Sequence, residues 1–347
     1  MFINYEGADT LRLHKKNTFS TYLLLEQGTK IDIPTIDYAT GGGATNMAVG
    51  LSRLGMSVEA FFKTGDDDAG TFIRNQLTKE HVGISYCPVS FEHHTALSII
   101  IPSIEQDYAA LCYRGANREL KTQEFPLSLF TELDLLFIGP LGGHSQDLLP
   151  YLTNAATQAG VPVALNPSIQ QLTHTPSFTQ ALASVDILIV NTYESGFLLK
   201  ALLAEESVPE FSSHDSSPLL LEPYLHLGER TFSVRDVFKE IFTHGPKIAI
   251  ITNGSEGVYI GTKEMILFHP SIATDTIYSL GAGDAFTSGF LGAHILGASL
   301  SDALRFGVLN ATSVVSHPNA KDGLLTFKEL ESKASSLDRS LLLQFSY

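Results

Sequence analysis

Four short runs in the middle of the chain constrain the fold most: LLFIG at 135–139, VPVALN at 161–166, DILIVN at 186–191 and KIAIIT at 247–252. Each is apolar almost without a break and too short for a typical helix. A strand with one wet face alternates apolar and polar residues. An unbroken run fits a strand covered on both faces, as in a parallel sheet. Helical segments lie between the runs. Gln146 to Ala159 reads as one, stopped by Gly160. Ser233-Val-Arg-Asp236 opens another through a capping-box pattern with Asp in place of Glu, and Gly245-Pro246 ends it. This alternation predicts an α/β fold: a doubly wound, mostly parallel sheet with helices on both faces. Ligands bind at the carboxyl ends of such strands, where Asn166, Asn191 and Asn253 stand.

The chemistry is concentrated in TDTIYSLGAGDAFTSGFLGAHILG, residues 274–297. Gly281, Ala282 and Gly283 leave successive backbone N–H groups open just before an apolar helical stretch. A helix N-terminus carries unsatisfied donors and a positive dipole end, so it attracts phosphate. Asp284 in the same turn is misplaced as a phosphate binder. It is well placed as a base that takes a proton from a hydroxyl attacking that phosphate. Glycine at the cradle lets the backbone come close to the charge that develops on the transferred group. No GxxxxGK[ST] occurs, so the fold is not a P-loop one.

Composition narrows the partners. With 347 residues the chain is long enough for one large α/β domain or two smaller ones. The formal net charge of −15 opposes a nucleic-acid partner. With only 22 Lys and Arg, positive potential for a polyanionic ligand must come from backbone dipoles and metal. Cys87 and Cys112 read as reduced thiols. The opening MFINYEGADTL has no leader pattern, and no apolar run reaches membrane-span length. A cytoplasmic protein with no membrane partner is expected. His93-His94 lacks spaced partners for a metal and reads as a solvated turn. Residues 44–54 fit a helix, with Met47, Leu51 and Leu54 on one face and Gly55 as its stop.

GAGDAFTSGFL resembles the C-terminal signature of the ribokinase-like (PfkB) carbohydrate kinases. Other matches follow in that family's order: GGGATNMAVGLSRLG (41–55), FKTGDDDAG (62–70), YRGAN (113–117), the NxxE motif NTYE (191–194) and the TxGxxG motif TNGSEGVYI (252–260). The resemblance implies a single ribokinase-like domain over 1–347. It also implies a small β-sheet lid from about 18–40 and 93–117, with hairpin arms at Thr21–Ile36 and Thr95–Tyr113. A lid keeps water from the transferred phosphate. By the same resemblance the chain is an ATP-dependent kinase of a sugar or sugar derivative, with Mg²⁺ bridging phosphates. Gly42, Gly43, Asn46 and Asn117 would then contact the acceptor. Asn191 and Glu194 would form the metal-site pair, with Glu194 acting through water. Thr252, Gly254, Gly257 and Asn310 would line the nucleotide. The HPNAKDG loop (317–323) would flank the purine.

The chain departs from the family at four places. Tyr278-Ser279-Leu280 stand where Asp-Thr-Thr is usual, which implies weak or absent potassium activation. Of an Asp-x-Asn-x-Arg pattern only Asn166 survives. The opening strand with its acceptor-binding Asp is missing or shortened. Residues 204–231, rich in Ser, Pro and Glu, read as a surface insertion. A nucleoside kinase and a non-catalytic sugar- or nucleotide-binding relative remain as alternatives. A dinucleotide dehydrogenase does not fit, because GGGATN lacks the third Gly of GxGxxG. Exposed lid strands would let two copies pair as a homodimer.

Overall fold

The computed structural model describes residues 1–4, 9–15, 18–24, 27–28, 30, 32–33, 35–102, 108–173, 175–212 and 222–347. They divide into two compact units. The first is Met1–Asn117 with Ala273–Ser288 and Leu309–Leu330; the second is Arg118–Ile272 with Gly289–Val308 and Glu331–Tyr347.

The second unit holds the sheet that the apolar runs predict. Among the described residues its seven strands lie in the order Leu343–Ser346, Met265–His269, Val258–Gly261, Ile248–Thr252, Ile187–Asn191, Val163–Leu165, Leu136–Ile138. The last four are the four runs, and they pair in parallel. The first four residues of Ile187–Asn191 are all buried. Successive side chains point to opposite faces, so both faces are covered. The remaining three strands join antiparallel, which makes the sheet more mixed than the apolar pattern suggests. Turn length explains it. Only the short segment Asn253–Gly257 separates Thr252 from Val258, far less than a parallel crossover needs.

Local signals set the helix ends in this unit. Ser233 Oγ accepts from Asp236 N at 3.3 Å, and the Asp236 carboxylate accepts from Ser233 N at 2.9 Å, which starts helix Val234–Thr243. Gly160 takes the left-handed conformation, φ 72°, at the end of Leu149–Ala159. Within the segment 204–231 the described residues form strands of their own. Glu210–Phe211, Leu225–Leu227 and Arg230–Phe232 form an antiparallel sheet. Tyr224, Leu225 and Leu227 are buried. The Tyr224 and Ser195 hydroxyls share a 2.6 Å hydrogen bond. Gly196 lets this sheet approach helix Thr192–Leu202, since a Cβ there would stand 2.7 Å from Phe211 Cζ. Polar composition dominates the segment, and two or three apolar residues are enough to anchor it. Residues 213–221 lie outside the described residues.

In the first unit a four-stranded sheet runs Thr35–Asp37, Phe2–Asn4, Leu97–Pro102, Tyr108–Tyr113. The hairpin expected within Thr95–Tyr113 is present. Thr21–Ile36 is not one hairpin arm. Thr18–Leu24 pairs back with Asp9–Lys15, whereas Thr35–Asp37 pairs with Phe2–Asn4. Apolar pattern marks a strand but not its partner. The opening strand is short, Phe2–Asn4. Of the expected lid, residues 25, 26, 29, 31, 34 and 103–107 lie outside the described residues. Among the described residues no helix is long and apolar enough to cross a membrane.

Helix Gly43–Arg53 carries the Gly-Gly signature. Its burial is broader than the one face read from Met47, Leu51 and Leu54, because Thr45 through Gly50 are all buried. It packs on helix Ala282–Ile295, whose first turn carries Asp284. A Cβ on Gly50 would overlap Ser288 Oγ and stand 2.6 Å from Ser288 Cβ. Val49, Leu77, Ala285 and Val314 meet in the core around this contact.

Gly50→Ala gives two opposed effects. Helix propensity gains about 0.5–1 kcal/mol, and overpacking costs about 1–3 kcal/mol. The clash with Ser288 wins, so net destabilisation is expected. Ser288→Gly in the same chain should recover most of the loss. Urea unfolding of the single and double variants checks this, and a Gly50→Ala protein as stable as wild type would refute the close packing.

Candidate active site

The GAGD turn opens helix Ala282–Ile295. Gly281 has φ +84°, and a Cβ there would collide with Ala320, whose Cα would lie 2.9 Å away. Ala282 N donates to Ser279 O at 3.2 Å, and Ala285 N donates to Gly281 O at 2.9 Å. The N–H groups of Gly281, Gly283 and Asp284 reach no backbone carbonyl among the described residues. A Cβ at Gly283 would enter space with no protein atom within 4 Å. Free donors, a helix dipole and open space are what an anion would need at this turn.

Asp284 stands in the first turn of that helix. Asn46 Nδ2 donates to its Oδ2 at 2.7 Å. The other face of the Asn46 amide meets a buried cation. Lys321 Nζ donates to Asn46 Oδ1 at 2.7 Å, to Thr40 O at 2.8 Å and to Thr45 Oγ1 at 3.0 Å. Thr45 Oγ1 in turn donates to Gly41 O at 2.9 Å. Burial pushes the Asp284 carboxyl above its ordinary value, against the Asn46 hydrogen bond and the Lys321 charge, which pull it down. A stronger carboxylate base results. Burial likewise pulls Lys321 down to about 7, against the charges of Asp284 and Glu80. Three acceptors around Nζ match the three N–H groups of an ammonium, so the geometry is that of the charged form.

The other residues of the acceptor reading separate. Gly42 has φ +94° and no protein atom near its absent Cβ. Gly43 starts the helix. Asn46 is the most central, because its amide bridges Lys321 and Asp284. Asn117 Oδ1 accepts from Lys63 N at 2.9 Å, which ties the end of the first chain segment to the core of the unit. Asn310, expected beside the purine, is corrected. It is fully buried. Its Nδ2 donates to Ala285 O at 2.8 Å and its Oδ1 accepts from Leu325 N at 2.9 Å, which leaves no face for a nucleotide.

In the second unit the NxxE and TxGxxG motifs stand at neighbouring strand ends, with Asn191 and Thr252 in register. Asn191 Oδ1 accepts from Glu194 N at 2.7 Å, and Glu194 Oε2 accepts from Asn191 N at 2.9 Å. The pair is thus a reciprocal cap on helix Thr192–Leu202. Burial raises the Glu194 carboxyl, and the Asn191 hydrogen bond opposes this. Thr192 Oγ1 donates to Asn253 Oδ1 at 3.1 Å, which joins the two motifs. Gly254, at φ +52°, faces open space, whereas Gly257, at φ +126°, packs against the His269 carbonyl. Among the described residues no group of three or more His, Cys, Asp or Glu could hold a metal.

Residues 17–326 match the pfkB family carbohydrate kinase. The chain belongs to this family. It is therefore a carbohydrate kinase, of ribokinase-like fold with a separate small sheet. It is 26% identical over 320 residues to the 2-dehydro-3-deoxygluconokinase of Bacillus subtilis, covering 90% of this chain and 91% of that one. The Arabidopsis thaliana ribokinase complexed with ribose and ATP superposes with a TM-score of 0.72 at 19% identity, over 97% of this chain and 95% of that one. The Burkholderia thailandensis nucleoside kinase in complex with inosine gives 0.71 at 19%, over 96% and 94%.

In this kinase, Lys321, Thr40 and Thr45 escaped sequence reasoning. The signal for Lys321 was a single cation among the small residues of the HPNAKDG loop, in a chain poor in Lys and Arg. The loop is held from the helix side as well. Arg53 Nη1 donates to Lys321 O at 2.7 Å, while its Nη2 pairs with Glu80 Oε1, also at 2.7 Å.

The Arg53 hydrogen bond holds the Glu80 carboxyl below its ordinary value. A lowered folded value contributes stability above the unfolded value and loses it as pH falls through the folded one. Glu80→Gln should therefore destabilise by about 0.5–1 kcal/mol at neutral pH. The gap to wild type should close in acid. Chemical unfolding across that range checks the sign, and a gap that widens in acid would reverse it.

Proposed function

We propose that the chain moves the γ-phosphate of ATP to a hydroxyl of a sugar or sugar derivative, with Asp284 as the general base. The observation that carries this reading is the meeting of a base and an anion cradle in one helix turn. Asp284 is oriented by Asn46, and free N–H groups precede it. The acceptor hydroxyl would lie against the carboxylate and attack the γ-phosphorus in line. Its proton passes to Asp284 as the new oxygen–phosphorus bond forms, and the bond to the β-phosphate oxygen breaks. The N–H groups of Gly281 and Gly283 would receive charge on the phosphoryl oxygens. Gly42 and Gly43 would bring backbone close to the acceptor. Thr252 and Gly254 would approach the nucleotide, where no side chain obstructs Gly254. Mg²⁺, held by phosphates and through water by Glu194, would supply charge neutralisation.

A nucleoside as acceptor is the second reading. It is favoured by the likeness in fold to a nucleoside kinase whose complex contains inosine. The curated relative acting on a sugar acid is nearer in sequence, so a sugar derivative is preferred. ADP release with 2-dehydro-3-deoxygluconate, D-ribose, D-fructose and inosine separates the two.

Asp284→Asn keeps size and capping ability but cannot take the proton. Phosphate transfer in a single turnover should fall about 10²- to 10⁴-fold, while calorimetry finds ATP affinity nearly unchanged. A helix cap alone would tolerate Asn, so wild-type transfer by this variant would remove Asp284 from the mechanism.

Potassium should activate weakly or not at all, because Tyr278 occupies the position where the family usually has Asp. Turnover in potassium and in tetramethylammonium at equal ionic strength provides the comparison. Stimulation of about tenfold, roughly 1.4 kcal/mol at the barrier, would contradict it.

A further inference from the structure

Lys321 is buried deeply for a lysine, at 7% exposure, and forms no ion pair with Asp284 among the described residues. Its charge is spent on three oxygens of residues 40–46 instead. Both ends of the residue are pinned. Arg53 Nη1 holds its carbonyl, and its N–H donates to Asn319 Oδ1 at 2.9 Å. The crucial bond is to Asn46. A side-chain amide can present either end, and nothing in its shape decides which. Here Lys321 demands an acceptor and Asp284 demands a donor. The two demands leave one orientation, with Oδ1 to the ammonium and Nδ2 to the carboxylate. Asp284 Oδ2 is thereby occupied, and Oδ1 has no hydrogen-bond partner among the described residues.

We propose that Lys321 is a positioning residue for phosphoryl transfer, fixing the Asn46 amide so that Asp284 Oδ2 is held and its Oδ1 meets the acceptor hydroxyl. This rests on the reading of Asp284 as base. Without the ammonium Asn46 Oδ1 loses its donor, and among the described residues only the bond to Asp284 Oδ2 is left to hold the amide. The amide is then held at one end only, and Asp284 Oδ2 loses its fixed donor. The same ammonium holds Thr40 O and Thr45 Oγ1. It therefore ties the glycine turn on the acceptor side to the base, and one side chain sets both.

The test uses the full-length protein and the acceptor of the four above that wild type phosphorylates. Lys321→Met, Asn46→Ala, their double variant and Asp284→Asn are compared by melting, by ATP affinity and by single-turnover transfer. Lys321→Met should lose about 10- to 100-fold in transfer, the usual result of a small misplacement, with ATP affinity within about threefold of wild type. The double variant should be no slower than the worse single by more than about threefold, because both substitutions break one linkage. Transfer by Lys321→Met within about threefold of wild type overturns the proposal. So do losses that multiply in the double variant. If Lys321→Met does not fold, Lys321→Gln replaces it, since its amide can keep two of the three bonds. Failure of both to fold assigns Lys321 to folding alone and also overturns the proposal. Asp284→Asn at wild-type speed removes the base reading itself, a result distinct from any of these.

Discussion

The amide of Asn46 is the constraint on which the site depends. It lies between a buried cation and a carboxylate, at 2.7 Å from each. Neither neighbour is cheap to bury alone. A lone ammonium or carboxylate out of water loses its solvation and shifts toward its neutral form. Burial pulls Lys321 down and pushes Asp284 up, as that cost requires. The amide offers each charge an opposite partial charge without placing the two in contact. The Asp284 carboxyl thus stays above its ordinary value, where a direct ion pair would pull it down.

The same economy of charge is visible at the cradle. The chain is strongly acidic and has few cations, so an anionic ligand must be met by backbone. The helix beginning at Ala282 supplies donors and dipole. Close packing of Gly281 on Ala320 holds the turn against the loop that carries Lys321. Small residues at 281 and 320 are what let loop and helix approach.

Several residues show where local pattern stops being informative. Asn310 sits in a segment that flanks a motif, and from sequence it reads as a ligand contact. In the fold its amide is a buried tie between Ala285 O and Leu325 N. Residues 204–231 look polar overall, yet Tyr224 and Leu225 are core. Glu194 shows a third kind of ambiguity. NxxE is legible both as a metal-site pattern and as a helix cap, and the hydrogen bonds of a cap are formed. A carboxylate can serve both, because the cap uses one of its oxygens.

By itself the sequence determined the parts that are local. Four continuous apolar runs imply strands buried on both faces, and each lies in the parallel region of the sheet. Ser233 with Asp236, Gly160 and the glycines of GAGD mark helix ends because capping is decided within a few residues. The motifs identified a carbohydrate kinase and singled out Asp284 and Asn46. Tertiary structure alone decided their relation. Asn46 and Asp284 are separated by 238 positions, and Lys321 and Asn46 by 275. Strand pairing in the small sheet is equally non-local, joining Phe2 to Ile100. Hydrophobic periodicity specifies which face of an element is buried, but not which element covers it. A buried lysine therefore looks like any surface lysine until the chain closes around it.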